Sequence, residues 1–199
     1  YHEAGHAVLA SILPNADPVH KVSIVARGRA GGYTLKLPVE DRRLQSKKEF
    51  LDDIAMSLGG YVAEELIFGD VTTGPSNDLQ VSTSLARAMV TRWGMSDAIG
   101  PVALESDGGK IIHGYVDGGK DYSEEMSAVI DREVKKIMTD SLELARKTIG
   151  ENKKVLDAIA KKLLEVETLE QDEYNKLIMT FGIKPKKREE GKEAIDIVG

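Results

Sequence analysis

The stretch YHEAGHAVLASIL, residues 1–13, constrains this chain more than any other. His2 and His6 stand four residues apart, so on a helix their imidazoles lie on one face, one turn from each other. The residues that follow are nearly all apolar and can bury such a helix. Pro14 stops it, because proline lacks the amide hydrogen and clashes with the preceding turn.

Two imidazoles aimed at one point are two ligands of a tetrahedral zinc, and Glu3 sits beside the first of them. Zinc with an open position lowers the pKa of its bound water to about 7. A neighbouring carboxylate that is not itself a ligand can then take the proton as hydroxide attacks a carbonyl. That is the logic of the HExxH pattern. Histidine pairs at this spacing also occur on ordinary helix surfaces. The small Ala4 and Gly5, which leave room for a metal and a substrate, favour the metal reading.

A catalytic zinc of this kind needs a third protein ligand. The chain has no cysteine, so that ligand must be a histidine or a carboxylate, and a disulfide framework or thiol nucleophile is excluded. His20 precedes a strand and His113 lies among glycines; both read as ordinary residues. Glu64 and Glu65 fall on a later helix, where Glu65 lies near the stripe through Leu58 and Val62. Asp78 stands at the start of a further helix, where a plain N-terminal cap is the simpler reading. Periodicity leaves the choice among them open.

Along the rest of the chain, KVSIVA and YTLKLP read as two short strands, with Val22, Ile24, Tyr33, Leu35 and Leu37 alternating. RGRAGG between them reads as a hairpin turn or wide loop. Lys47–Phe68 reads as one helix ended by Gly69, and TTGPSND as a turn from which Asn77 or Asp78 caps a helix reaching about Trp93. Residues 94–120 read as loops with a hairpin. Helices are expected over about 123–149, 153–166 and 169–181, the last opened by a Thr168–Gln171 capping box and stopped by Gly182. The stripe Met126, Val129, Ile130, Val134, Ile137 and Met138 reads as core packing. Residues 1–182 thus form one α+β, mostly α-helical domain with a small sheet and a helical subdomain from about 123, followed by a charged, flexible tail over 183–199.

Four segments resemble, in the same order, the peptidase domain of FtsH-type ATP-dependent zinc metalloproteases: YHEAGHAV, LGGYVAEELIFGDVTTGPSNDL, ARAMVTRWGMSDAIGPVAL and YSEEMSAVIDREVKKI. The resemblance runs from Tyr1 to about Phe181. It implies zinc held by His2, His6 and Asp78, with Glu3 as general base and Glu64 near the metal without binding it. It also implies a homo-hexameric ring, an AAA+ ATPase domain and a membrane anchor outside these residues, at the cytoplasmic face of a bacterial inner membrane. A ligand at residue 2 would sit on a fraying helix end, which suggests that helix precedes it.

The remaining expectations are mostly exclusions. The charged residues, 30% of the chain, sum to −6, which argues against a nucleic-acid surface. No apolar run approaches the length that spans a bilayer and no signal peptide is evident, so the chain as given reads as soluble. GGK at 108–110 and at 118–120 lacks the spacing and hydroxyl of a phosphate loop, so ATP would enter only through a separate domain. Polypeptide substrates are expected along the edge of the strand in GGYTLKLP, where Pro38 suits an edge. The competing readings are a stand-alone zinc peptidase and a non-catalytic oligomerisation module; retention of Glu3 argues against the second.

Overall fold

A computed structural model of the chain describes residues 1–25, 32–36, 44–105, 111–112, 115–116 and 122–186. Helix α1 (His2–Ile12) ends ahead of Pro14, as its sequence requires. It is the central element of the core. Ala4, Ala7, Val8, Leu9 and Ala10 have no exposed surface, because neighbours cover the helix on every side. Strand β1 (Val19–Ser23) follows, then β2 (Tyr33–Lys36). Both begin close to where the alternating pattern put them. Leu37 and Pro38 lie outside the described residues.

The helix expected over Lys47–Phe68 is two helices, α2 (Lys47–Ser57) and α3 (Gly59–Phe68), divided at Leu58. Ser46 opens α2 with a complete capping box, its side chain accepting from the Glu49 amide while Glu49 reaches back. The division falls at the Gly59–Gly60 pair, where α3 crosses α1. A Cβ on Gly5 would stand 2.2 Å from the Gly59 carbonyl oxygen, so backbone meets backbone there. Gly5 is therefore small for the sake of this crossing, not to leave room for a metal or substrate, and Ala4 is buried beside it.

Helix α4 (Ser76–Thr91) follows a tight turn. The expected hairpin in the glycine-rich region is present as β3 (Ile111–Ile112) and β4 (Tyr115–Val116), paired antiparallel. His113 and both GGK stretches lie outside the described residues. Helix α5 (Glu124–Glu151) is capped by the Ser123 side chain and packs on α2, α3 and α4, burying Ile130. Helix α6 (Lys153–Val166) packs on α1.

Strand β5 (Thr168–Glu170) precedes α7 (Gln171–Met179). The capping box proposed for Thr168 and Gln171 is not formed. Thr168 belongs to β5, and its hydroxyl bonds Ser23 Oγ at 2.8 Å across the sheet. Sheet order is β2-β1-β5, antiparallel throughout, with Val22 opposite both Thr34 and Leu169. The fold is α+β and mostly helical, as expected.

Two distant residues secure α1. The buried Tyr174 donates its hydroxyl to the Ala7 carbonyl at 2.8 Å. The Lys186 ammonium donates to the carbonyls of Ala10 (2.7 Å), Ala16 (2.6 Å) and Leu13, where cationic charge suits a helix C-terminus. Residues 183–186 are thus tied to the domain, and 187–199 lie outside the described residues. Among the described residues, no helix is long and apolar enough to cross a membrane.

Candidate metal centre

The first turn of α1 carries His2 and His6 on one face, with Nε2 atoms 3.1 Å apart. The Asp78 carboxylate enters from the first turn of α4, its Oδ2 lying 3.3 Å from His2 Nε2 and 3.6 Å from His6 Nε2. The ligand atoms of these three residues all lie within 4.8 Å of one another. Four donors held about 2.0–2.1 Å from a tetrahedral zinc are about 3.3–3.4 Å apart, close to the separations seen here.

The far side of each ring explains why the near side is suited to a cation. His6 Nδ1 lies 2.8 Å from the Met56 carbonyl oxygen, which can only accept. His2 Nδ1 lies 3.0 Å from Glu64 Oε1, again an acceptor when ionised. Each ring therefore spends its Nδ1 hydrogen outward, leaving a bare Nε2 lone pair facing its counterpart and the Asp78 carboxylate. Three lone-pair donors converging without a proton between them repel unless a positive charge is shared among them. Burial opposes charge on His2, but hydrogen bonds to Asp78 and Glu64 and the nearby Glu3 raise its pKa overall. Burial likewise pushes Asp78 up, yet the hydrogen bonds and charge of His2 and His6 hold it well below the usual carboxylate range. A divalent cation answers that demand, so the residues present fit the metal.

Local structure places each ligand. Met56 lies just ahead of the division at Leu58, so the carbonyl that orients His6 belongs to the last turn of α2. Asp78 does not cap α4, because the N-cap is Pro75 and no side chain bonds there. Asn77 is likewise inside the helix. Its short turn simply aims Asp78 at the two histidines.

Glu64 and Glu65 part company. Glu64 is buried, and its Oε2 accepts from both the amide and the hydroxyl of Thr72, each at 2.9 Å. Burial pushes its carboxyl up, but the Thr72 and His2 hydrogen bonds bring its pKa below the ordinary value. Glu65 points the other way and forms a two-pronged pair with Arg146, both contacts at 2.7 Å. The inward reading of Glu65 is therefore corrected: Glu64 is the one that reaches the site, touching His2.

Glu3 lies beside the site on the β2 side. Its Oε2 accepts the Thr34 hydroxyl at 2.9 Å. His20, half-buried on β1, is not among the converging residues. Sequence reasoning did not find Thr34, Thr72 or Gly60, the last lying directly against the His2 ring. The only signal for Thr72 was its place in a turn between a candidate carboxylate and Asp78.

The model of peptidase family M41 matches residues 1–177. The chain is 49% identical over 182 residues to an ATP-dependent zinc metalloprotease FtsH of Pseudothermotoga lettingae, covering 90% of this chain and 29% of that protein. It is 47% identical over 180 residues to the protein of that name from Thermotoga maritima, covering 89% and 30%. For the Bacillus subtilis protein the identity is 47% over 180 residues, covering 89% and 28%. The chain thus spans less than a third of the length of these relatives. With its match extending through α1, the sheet and all the helices that frame the three converging ligands, the chain belongs to peptidase family M41.

Proposed function

We propose that this chain is a zinc-dependent endopeptidase, the proteolytic part of an ATP-dependent, membrane-anchored protease that hydrolyses unfolded or membrane-extracted proteins. His2, His6 and Asp78 hold the metal, one ion per chain. The reading is supported above all by the two histidines whose Nδ1 hydrogens are committed to Met56 and Glu64, leaving Nε2 free toward Asp78.

When bound, zinc supplies Lewis acidity to the scissile carbonyl and acidity to its water. The chain's own residues do the rest. Glu3 takes one proton from the attacking water and delivers it to the amide nitrogen as the carbon–nitrogen bond breaks. Its carboxylate is free for this because it is no part of the converging ligand set. Among the described residues β2 is an edge strand, so an extended peptide can pair along its outer side through backbone hydrogen bonds. An unfolded chain meets that requirement and a folded one does not.

The relatives' names, ATP-dependent zinc metalloproteases, support an ATP-using domain elsewhere in the protein. On this proposal that domain is an AAA+ ATPase that unfolds the substrate and feeds it to this site, and the peptidase parts assemble as a homo-hexamer on the cytoplasmic face of a bacterial inner membrane. ATP acts only in that domain. Elemental analysis of wild type and Asp78→Ala, with peptide hydrolysis by Glu3→Gln, tests the core of the reading. About one zinc per wild-type chain, lost in Asp78→Ala, with zinc retained but turnover abolished in Glu3→Gln, is the expected result. A wild type that binds no zinc when supplied with it overturns the reading.

A further inference from the structure

The strand offered to the substrate also touches the base. On β2, side chains alternate between faces, so Thr34 points opposite to Tyr33 and Leu35. Thr34 faces α1, where its hydroxyl reaches two oxygens of one residue: Glu3 Oε2 at 2.9 Å and the Glu3 carbonyl at 3.2 Å. The hydroxyl has one hydrogen, so it is shared between the carboxylate and the backbone beneath it. Two residues earlier, Gly32 leaves the space the Glu3 side chain occupies. A Cβ there would stand 2.9 Å from Glu3 Cγ and 3.0 Å from Oε1. It would also stand 2.8 Å from the Ser23 carbonyl oxygen on β1. Gly32 and Thr34 thus form a seat for Glu3.

We propose that Thr34 is a positioning residue for peptide hydrolysis, whose hydroxyl orients the Glu3 carboxylate from the strand that receives the substrate. The inference rests on the reading of Glu3 as the general base. A glutamate near the start of a helix has three rotatable bonds and a half-open site in which to wander. A hydrogen bond to Oε2, with Oε1 packed over Gly32, fixes the rotation of the carboxylate as a whole. Because the donor sits on β2, any shift of that strand as a peptide pairs with its outer edge moves the carboxylate too. Substrate binding and readiness of the base are then mechanically linked.

Steady-state hydrolysis of an unstructured peptide by the zinc-loaded chain tests this with Thr34→Val, Thr34→Ser and Glu3→Gln, alongside chelator competition for zinc and a crystal structure of Thr34→Val. Valine keeps the shape without the hydroxyl, and serine keeps the hydroxyl. The expected result is a fall in kcat of about tenfold for Thr34→Val, with KM and zinc retention unchanged, and recovery of most of it in Thr34→Ser. The crystal structure should show the Glu3 carboxylate displaced from its seat. Equal loss in the serine and valine variants overturns the proposal, as does loss of zinc or a rise in KM alone. Glu3→Gln inactive but Thr34→Val at the wild-type rate overturns the Thr34 role and leaves the base standing. Glu3→Gln at the wild-type rate overturns both.

Discussion

The His2 imidazole rests against the bare Cα of Gly60: a Cβ built there would lie 2.3 Å from Cε1, 2.4 Å from Nδ1 and 2.6 Å from Nε2. Helix α3 therefore forms the floor under the His2 ring, and the floor has no room for a methyl group.

Gly60→Ala should cost metal more than it costs stability, because the group in its way is a side chain that can swing aside. The expected outcome is at least about a tenfold loss of zinc affinity, with the metal-free melting temperature little changed. Gly5→Ala should do the reverse. Its methyl group would meet the Gly59 backbone at 2.2 Å, where nothing can rotate away. Overpacking of this kind costs about 1–3 kcal/mol or more, read by urea denaturation of the metal-free chain.

The two adjacent glutamates give a matched pair of tests. Glu64→Gln weakens the acceptor that fixes His2, and Thr72→Val removes the hydroxyl that fixes Glu64. Each should lower zinc affinity by about 10–100-fold in a chelator competition. Glu65→Gln touches only Arg146 at the exposed surface and should leave zinc affinity unaltered, with at most about 1 kcal/mol of stability lost.

Removing the metal should itself destabilise the chain. Ions that bind only the folded state stabilise it by mass action, about 2.7 kcal/mol when free zinc is a hundred times its dissociation constant. A chelator should therefore lower the melting temperature of wild type and leave that of His6→Ala where it was.

Tyr174→Phe should cost about 1–2 kcal/mol by removing the hydroxyl that bridges Ser11 and the Ala7 carbonyl. Burial drives the Tyr174 pKa upward, only partly offset by the Ser11 hydroxyl. With the folded value raised, the unfolded chain ionises first, so wild type sheds stability as pH climbs past about 10. The gap between wild type and Tyr174→Phe should narrow from pH about 8 to pH about 11 in chemical denaturation.

How much of this was legible in the sequence depends on how local each signal is. His2 and His6 declare themselves through one helical turn, and the run after them correctly announces a buried helix. The choice between Glu64 and Glu65 was not legible, because the apolar stripe was followed through Leu58 as if one helix continued. Within α3 alone, Gly60 and Glu64 share a face four residues apart, and Gly60 contributes nothing to a hydropathy pattern despite lying at the site's floor. Strand β5 was missed for a different reason. Three residues carry little period, and their partner Ser23 lies 145 positions away. Asp78 was ambiguous because an acidic residue in a first helical turn suits the helix dipole whether or not it meets a metal.

The clasp of Tyr174 and Lys186 on α1 has a bearing on order in time. The helix that carries His2 and His6 comes first in this stretch of chain, yet the contacts that seat its middle and its C-terminal end come from residues over 160 positions later. During synthesis an apolar helix leaves the ribosome long before its last partners do, and long-range closures of this kind are slow. His2, His6 and Asp78 are thus all made well before Tyr174 and Lys186, so the helix that carries the two histidines gains its last anchors only after the three side chains that converge are already in the chain.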